Sequence, residues 1–279
     1  MHIKKPFWLQ KKLNLSVQSE VLKIIRNYNL HTVCSEARCP NISECFARKN
    51  ATFLILGDVC TRNCSFCNVK KGKPSTPDEN EPIRIAGAVD LMGLSHVVIT
   101  SPTRDDLPDG GAIFFKRTVE EIKKRKSSVI VELLIPDFAG NERSLETIVF
   151  SGADIVGHNI ETVKRLYFLR KGADYKRSIS VIRKLRELSP SLKIKSALML
   201  GLGEEKEEVE ETLIDLLDAG CRYLTLGQYL QPSLSHFPVK EYIVPSDFEY
   251  YKKKAFSIGF IYVESSPYAR SSYKAGNYL

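Results

Sequence analysis

What the chain lacks narrows its nature before any motif is read. No stretch approaches the ~20 consecutive apolar residues of a membrane-spanning helix, so a membrane protein of that kind is not expected. The N-terminal MHIKKPFWLQKKLNL is basic but holds no continuous apolar segment, which argues against a secretory signal. The five histidines form no H-x-x-H pair and no finger-type set, and each reads as a structural or surface residue. No dense basic run resembles a nucleic-acid arm. The 41 Lys and Arg, set against 33 Asp and Glu, are spread along the chain and leave a net charge of +8. A solvated basic surface accounts for that charge by itself, and an acidic protein partner is compatible with it; neither nucleic acid nor a membrane is expected. A disulfide framework is also not expected, because the seven cysteines are odd in number and six of them crowd between Cys34 and Cys67. The expected compartment is the cytoplasm, where thiols stay reduced. No oligomer signal is legible, and a monomer is assumed.

What is present is a repeating pattern of apolar runs. The chain has 279 residues and 43% hydrophobic content, enough for a sizeable core. Candidate strands are Thr52–Gly57, His96–Thr100, Val129–Ile135, Asp154–Asn159, Lys193–Leu200 and Tyr223–Tyr229. They are apolar almost throughout, as expected for parallel strands covered on both faces. Helices are expected at Val17–Tyr28, Ser178–Leu188, Glu205–Ala219 with Gly220 as its stop, and from a Ser246–Glu249 capping box to Phe256. Six βα units predict an α/β fold, a partial (β/α)6 TIM-like barrel with N-terminal and C-terminal extensions. The expected divisions are 1–50, 51–260 and 261–279, the last a tail with little core of its own. Chemistry in such barrels sits at the C-terminal ends of the strands.

The cysteines form two triplets. Cys34, Cys39 and Cys45 are spaced C-x4-C-x5-C, and Cys60, Cys64 and Cys67 are spaced C-x3-C-x2-C. Three thiolates are one short of a closed four-coordinate site. Zinc would want four ligands, commonly in CxxC pairs, and neither triplet has a second pair. Iron–sulfur clusters suit soft thiolates, and a four-iron cluster with three protein ligands keeps one iron open to a small molecule. Cys60-Thr61-Arg62-Asn63-Cys64-Ser65-Phe66-Cys67, with Phe66 before the last cysteine, resembles the CxxxCxΦC motif of the radical S-adenosylmethionine (SAM) enzymes. The resemblance implies that SAM chelates the open iron and is cleaved to a 5′-deoxyadenosyl radical that abstracts hydrogen.

The first triplet narrows the resemblance. Cys34–Cys45 together with Gly57–Cys64 is similar to the lipoyl synthases, and so are Val97–Ala112 (VVITSPTRDDLPDGGA), Leu133–Phe138, His158–Tyr167, Lys195–Glu204, Leu224–Ser233 and the terminal Arg270–Tyr273 (RSSY). The resemblance implies two [4Fe-4S] clusters: Cys60, Cys64 and Cys67 for the SAM cluster, and Cys34, Cys39 and Cys45 for an auxiliary cluster. A tail serine completes the auxiliary cluster, with Ser272 preferred over Ser271. That cluster would give two sulfur atoms to C6 and C8 of an octanoyl-lysine, at one SAM per C–H bond. The implied partners are octanoylated lipoyl carrier domains (2-oxoacid dehydrogenase E2 subunits and the glycine cleavage H protein) and an electron donor such as ferredoxin or flavodoxin.

Other residues carry both plain and functional readings. Gly201-Leu202-Gly203-Glu204 reads as a strand–helix turn. Within the family it resembles the SAM-contacting GxIxGxxE stretch, with Ala197 in place of the first glycine. Asn159 and Glu161 could cap a helix, yet as strand-end residues they are candidate SAM contacts, as are Phe66, Gly201, Gly203 and Gln228. Asp105, Asp106 and Asp109 read as a polar loop facing substrate or SAM. Cys221 reads as a buried apolar residue. Rival readings are another sulfur-inserting radical SAM enzyme, such as a biotin synthase or a tRNA methylthiotransferase, and a non-catalytic cluster scaffold.

Overall fold

The computed structural model describes residues 4–10, 18–36, 39, 41–47 and 51–273. Six strands are each followed in the chain by a helix: β1 (Thr52–Leu54) and α1 (Glu81–Leu91), β2 (His96–Thr100) and α2 (Ala112–Arg125), β3 (Ile130–Leu134) and α3 (Glu142–Val149), β4 (Ile155–Gly157) and α4 (Tyr175–Leu188), β5 (Lys193–Leu200) and α5 (Lys206–Asp218), and β6 (Tyr223–Gln228) and α6 (Pro245–Ile258). A strand not expected from the sequence, β7 (Tyr262–Ser265), comes last. Among the described residues no helix is long and apolar enough to cross a membrane. The chain divides into two compact units, one of Lys12–Arg62 and Asn68–Val156, the other of Met1–Lys11, Asn63–Cys67 and Gly157–Leu279.

In the first unit β1, β2 and β3 run parallel, with Phe53 opposite Ile99 and Val98 opposite Glu132. Every residue of β2 is buried, which is why its sequence shows no alternation. The expected strand Thr52–Gly57 stops early because Leu56 and Gly57 turn to φ +67° and +84°. Glu81 holds this bend: its carboxylate accepts the Leu56 N–H at 2.7 Å. The segment before β1 also adds a strand, His31–Thr32, antiparallel to β1. It is preceded by the helix Gln18–Asn27, which buries Val21 and Ile25. Val17, the expected start of that helix, lies outside the described residues.

In the second unit β5, β6 and β7 run parallel, with Leu198 opposite Leu226 and Leu224 opposite Val263. Residues 262–265, expected within a coreless tail, therefore belong to the sheet and bury Val263. Helix α4 starts at Tyr175 rather than Ser178, because the Asp174 carboxylate accepts the Arg177 N–H at 2.8 Å and caps it. Helix α5 buries Val209, Leu213 and Leu216 as its periodicity predicts. It ends at Gly220, φ +98°, where Gly220 and Cys221 donate to the carbonyls of Leu217 and Leu216 at 2.9 and 3.0 Å. The expected capping box at Ser246–Glu249 does not form. Pro245 takes the first helical position, where its missing N–H costs nothing, and the helix opens two residues earlier, with Val244 as its N-cap.

Candidate active site

In the first unit, the Cys60 segment is fixed at the C-terminal ends of the strands. Thr61 donates from both its N–H and its hydroxyl to the carbonyl of Thr103, just past β2, at 3.0 and 2.9 Å. Arg62 spreads its guanidinium between two carboxylates, reaching Asp105 at 2.7 and 2.8 Å and Asp137, just past β3, at 2.7 and 3.0 Å. The Asp137 side chain is fully buried and that of Asp105 is 41% exposed. Such a fork is rigid, so the backbone between Cys60 and Cys64 is held by ion pairs. The Arg62 N–H donates to the Cys60 sulfur at 3.3 Å.

The first triplet occupies two short helical segments of the same unit, Val33–Glu36 and Ile42–Ala47, which carry Cys34 and Cys45. The Cys39 N–H donates to the Cys34 carbonyl at 3.0 Å, and Ile42 donates to the Cys39 carbonyl at 3.3 Å. Burial, and then the neighbouring Cys39, push the Cys34 thiol up to about 11. A thiolate at that position needs a cation beside it. None of the seven cysteines is in a disulfide.

The aspartates of the 105–109 loop have structural work. Asp105 faces Arg62, Asp106 takes a bidentate contact from the buried Arg104 at 2.8 Å, and Asp109 accepts the N–H groups of Gly111 and Ile113 at the start of α2.

In the second unit, Cys64-Ser65-Phe66-Cys67 makes a turn closed by the Cys67 N–H on the Cys64 carbonyl, at 3.2 Å. Ser65 donates to the Leu169 carbonyl at 2.9 Å, Phe237 donates to the Ser65 carbonyl at 2.9 Å, and His236 Nε2 lies 3.2 Å from the Cys67 carbonyl. Phe66 is half-buried. Asn159 and Glu161 follow β4. Glu161 sits at φ +66°, donates to the Ala197 carbonyl and accepts from the Met199 N–H, both at 2.9 Å. Its carboxylate accepts from Asn159 Nδ2 at 3.0 Å. Burial raises the Glu161 carboxyl above the usual range, while Arg170, Asn159 and Arg270 draw it back. The Ala197 backbone thus supports Glu161 where the family stretch has a glycine.

Gly201 and Gly203 have φ +98° and +102°. A Cβ on Gly201 would stand 2.2 Å from Gln228 Nε2 and 2.4 Å from the Glu241 carbonyl oxygen, so only glycine fits. Glu204 folds back onto this turn, accepting the N–H groups of Gly201 and Leu202. Gln228 is buried, and its amide holds the loop after β6: Nε2 faces the carbonyls of Leu200, Tyr229 and Glu241 at 3.0–3.1 Å, and Oε1 accepts the Ile243 N–H at 2.8 Å.

Comparison with known proteins identifies the family. The model of the radical SAM superfamily matches residues 54–216. A protein of Geobacter metallireducens described as a lipoyl synthase is 56% identical over 99% of this chain and 98% of its own length. One of Caldicellulosiruptor saccharolyticus is 54% identical over 99% and 97%. The chain belongs to the lipoyl synthase family. It is accordingly a sulfurtransferase of the radical SAM superfamily that uses SAM and a [4Fe-4S] cluster and acts on lipoyl carrier proteins. Among solved structures, methylornithine synthase (PylB) superposes with a TM-score of 0.59 at 14% identity, covering 88% of this chain and 77% of its own. Streptococcus suis SuiB bound to S-adenosylmethionine gives 0.59 at 11% identity, covering 81% and 53%. These likenesses concern the fold, which is the α/β partial (β/α)6 TIM-like barrel.

The residues of this lipoyl synthase family member suit the cluster. Cys60, Cys64 and Cys67 are half-buried thiols outside any disulfide, soft donors of the kind that hold iron and sulfide. Sequence reasoning missed several contributors. Arg62 and Asp137 meet across 75 residues of chain, a relation with no local signal. Gly227 did carry one: a glycine inside a strand marks close backbone approach. A Cβ there would stand 2.1 Å from the Ala269 carbonyl oxygen, at the seat of the tail.

Proposed function

We propose that the chain inserts sulfur at C6 and C8 of an octanoyl group amide-linked to a carrier lysine, and that it divides the work between two [4Fe-4S] clusters. Cys60, Cys64 and Cys67 would hold the SAM cluster. Cys34, Cys39, Cys45 and Ser272 would hold an auxiliary cluster. When bound, these groups supply a 5′-deoxyadenosyl radical for hydrogen abstraction and the sulfur itself. The chain's own residues bind and orient. Arg62 fixes the turn between Cys60 and Cys64, Phe66 shields the SAM side, and Asn159 and Glu161 offer polar contacts to SAM. Gly201 and Gly203 keep side chains away from it. Gln228, with its amide committed to the loop, serves SAM by holding the strand ends in place.

Serine oxygen is a harder and weaker partner for iron than thiolate, which suits a cluster that must be opened. Octanoylated E2 subunits of 2-oxoacid dehydrogenases and the glycine cleavage H protein are the proposed substrates. A ferredoxin or flavodoxin is the proposed donor, and the enzyme works as a cytoplasmic monomer. The observation that carries this reading is the presence of both cysteine triplets and the terminal RSSY in one chain. Iron counting tests it. Anaerobic reconstitution should give about eight irons, and the Cys60, Cys64 and Cys67→Ala variant about four, with no 5′-deoxyadenosine formed from SAM and dithionite. Production of 5′-deoxyadenosine by that variant would overturn the assignment.

A further inference from the structure

The two tail serines are not equivalent. The Ser271 hydroxyl donates to Asn159 Oδ1 at 3.0 Å, across 112 residues of chain. Asn159 Nδ2 in turn donates to the Glu161 carboxylate at 3.0 Å. The Ser272 hydroxyl has no such partner among the described residues. The segment that delivers Ser271 is held closely. Ser266 donates to the Leu226 carbonyl at 3.1 Å and Gln228 to the Pro267 carbonyl at 3.3 Å, and Ala269 packs on Gly227.

An asparagine amide can turn end for end at little steric cost, so its orientation is set by what it bonds. Here a hydroxyl donor on the oxygen side and a carboxylate acceptor on the nitrogen side select one orientation. Glu161 is half-buried at a positive φ that a side-chain-bearing residue seldom adopts, and its backbone is tied to Ala197 and Met199. Its carboxylate accepts from the Asn159 amide and faces the guanidinium groups of Arg170 and of Arg270, the residue before Ser271 in the tail.

We propose that Ser271 is a positioning residue that latches the C-terminal tail to the SAM site through Asn159. With the tail seated, Ser271 orients the amide and so presets the Asn159–Glu161 pair. With the tail displaced, Asn159 loses its donor and the pair loosens. SAM affinity is thereby coupled to the seating of the same tail that offers Ser272 to the auxiliary cluster. The inference rests on the reading of Asn159 and Glu161 as SAM contacts.

The test uses the full chain, reconstituted and kept oxidised so that SAM binds without being cleaved. Ser271→Ala should raise the Kd for SAM by about 3- to 10-fold, the size of one neutral hydrogen bond. Ser271→Thr, which keeps the hydroxyl, should restore most of the affinity. In an Asn159→Ala background, Ser271→Ala should add nothing. Without SAM, amide exchange at residues 266–273 should be faster in both single variants than in the parent. A Kd unchanged by Ser271→Ala while Asn159→Ala weakens SAM binding would overturn the latch. Purely additive effects, or unchanged tail exchange, would do the same. A Kd unchanged by Asn159→Ala would remove the SAM-contact reading on which the latch rests.

Discussion

Gly227 and Ala269 approach so closely that a β-carbon on the glycine would stand 2.1 Å from the alanine's carbonyl oxygen. The contact is between backbones, so no rotamer change relieves it. In Gly227→Ala the tail must leave its seat while the buried strand β6 stays. Trypsin should then cut at Arg270 faster than in the parent, and auxiliary iron should be lost on desalting. An unchanged cleavage rate would show that the tail does not depend on this contact.

Arg62 predicts a contrast between its two acidic partners. Asp137 is fully buried, so Asp137→Ala leaves a buried cation half-paired and should cost about 3–5 kcal/mol in denaturant unfolding. Asp105 is partly exposed, and Asp105→Ala should cost about 1 kcal/mol or less. Equal losses would mean that burial does not govern the fork.

Replacing Cys34, Cys39 and Cys45 with Ala should separate the two functions. 5′-Deoxyadenosine should still form, because the second triplet is untouched, but no sulfur should reach the octanoyl chain. Lipoyl product from this variant, measured by mass spectrometry, would place the sulfur source elsewhere.

Much of this was legible in the sequence, and the reason is locality. The cysteine spacings, the apolar strand runs and the Gly220 helix stop are each encoded within a dozen residues or fewer. The strand ends were less legible, since Leu56 leaves the ladder only because Glu81, 25 residues on, holds its N–H. The Arg62–Asp137 pair spans 75 residues and the Ser271–Asn159 bond 112, and no periodicity signals either. Residues 262–265 looked like tail because a four-residue strand beside polar Ser and Tyr shows little pattern, and pairing with β6 overrides that composition.

Ser272 offers a sharper probe of ligand hardness. Ser272→Ala should nearly abolish lipoyl formation while SAM binding and the SAM cluster persist. Ser272→Cys should keep the auxiliary cluster and insert sulfur poorly, because thiolate holds iron harder. Full sulfur insertion by Ser272→Ala, with auxiliary iron lost instead in Ser271→Ala, would move the ligand one residue back.

The central claim is that this chain places two sulfur atoms on one octanoyl group. Mass spectrometry of an octanoyl-lysine peptide, after turnover with reconstituted enzyme, SAM and dithionite, reads that outcome directly. The account predicts a product carrying two added sulfurs, with two molecules of 5′-deoxyadenosine formed for each. Abundant 5′-deoxyadenosine beside a peptide that has lost hydrogen but gained no sulfur would contradict it.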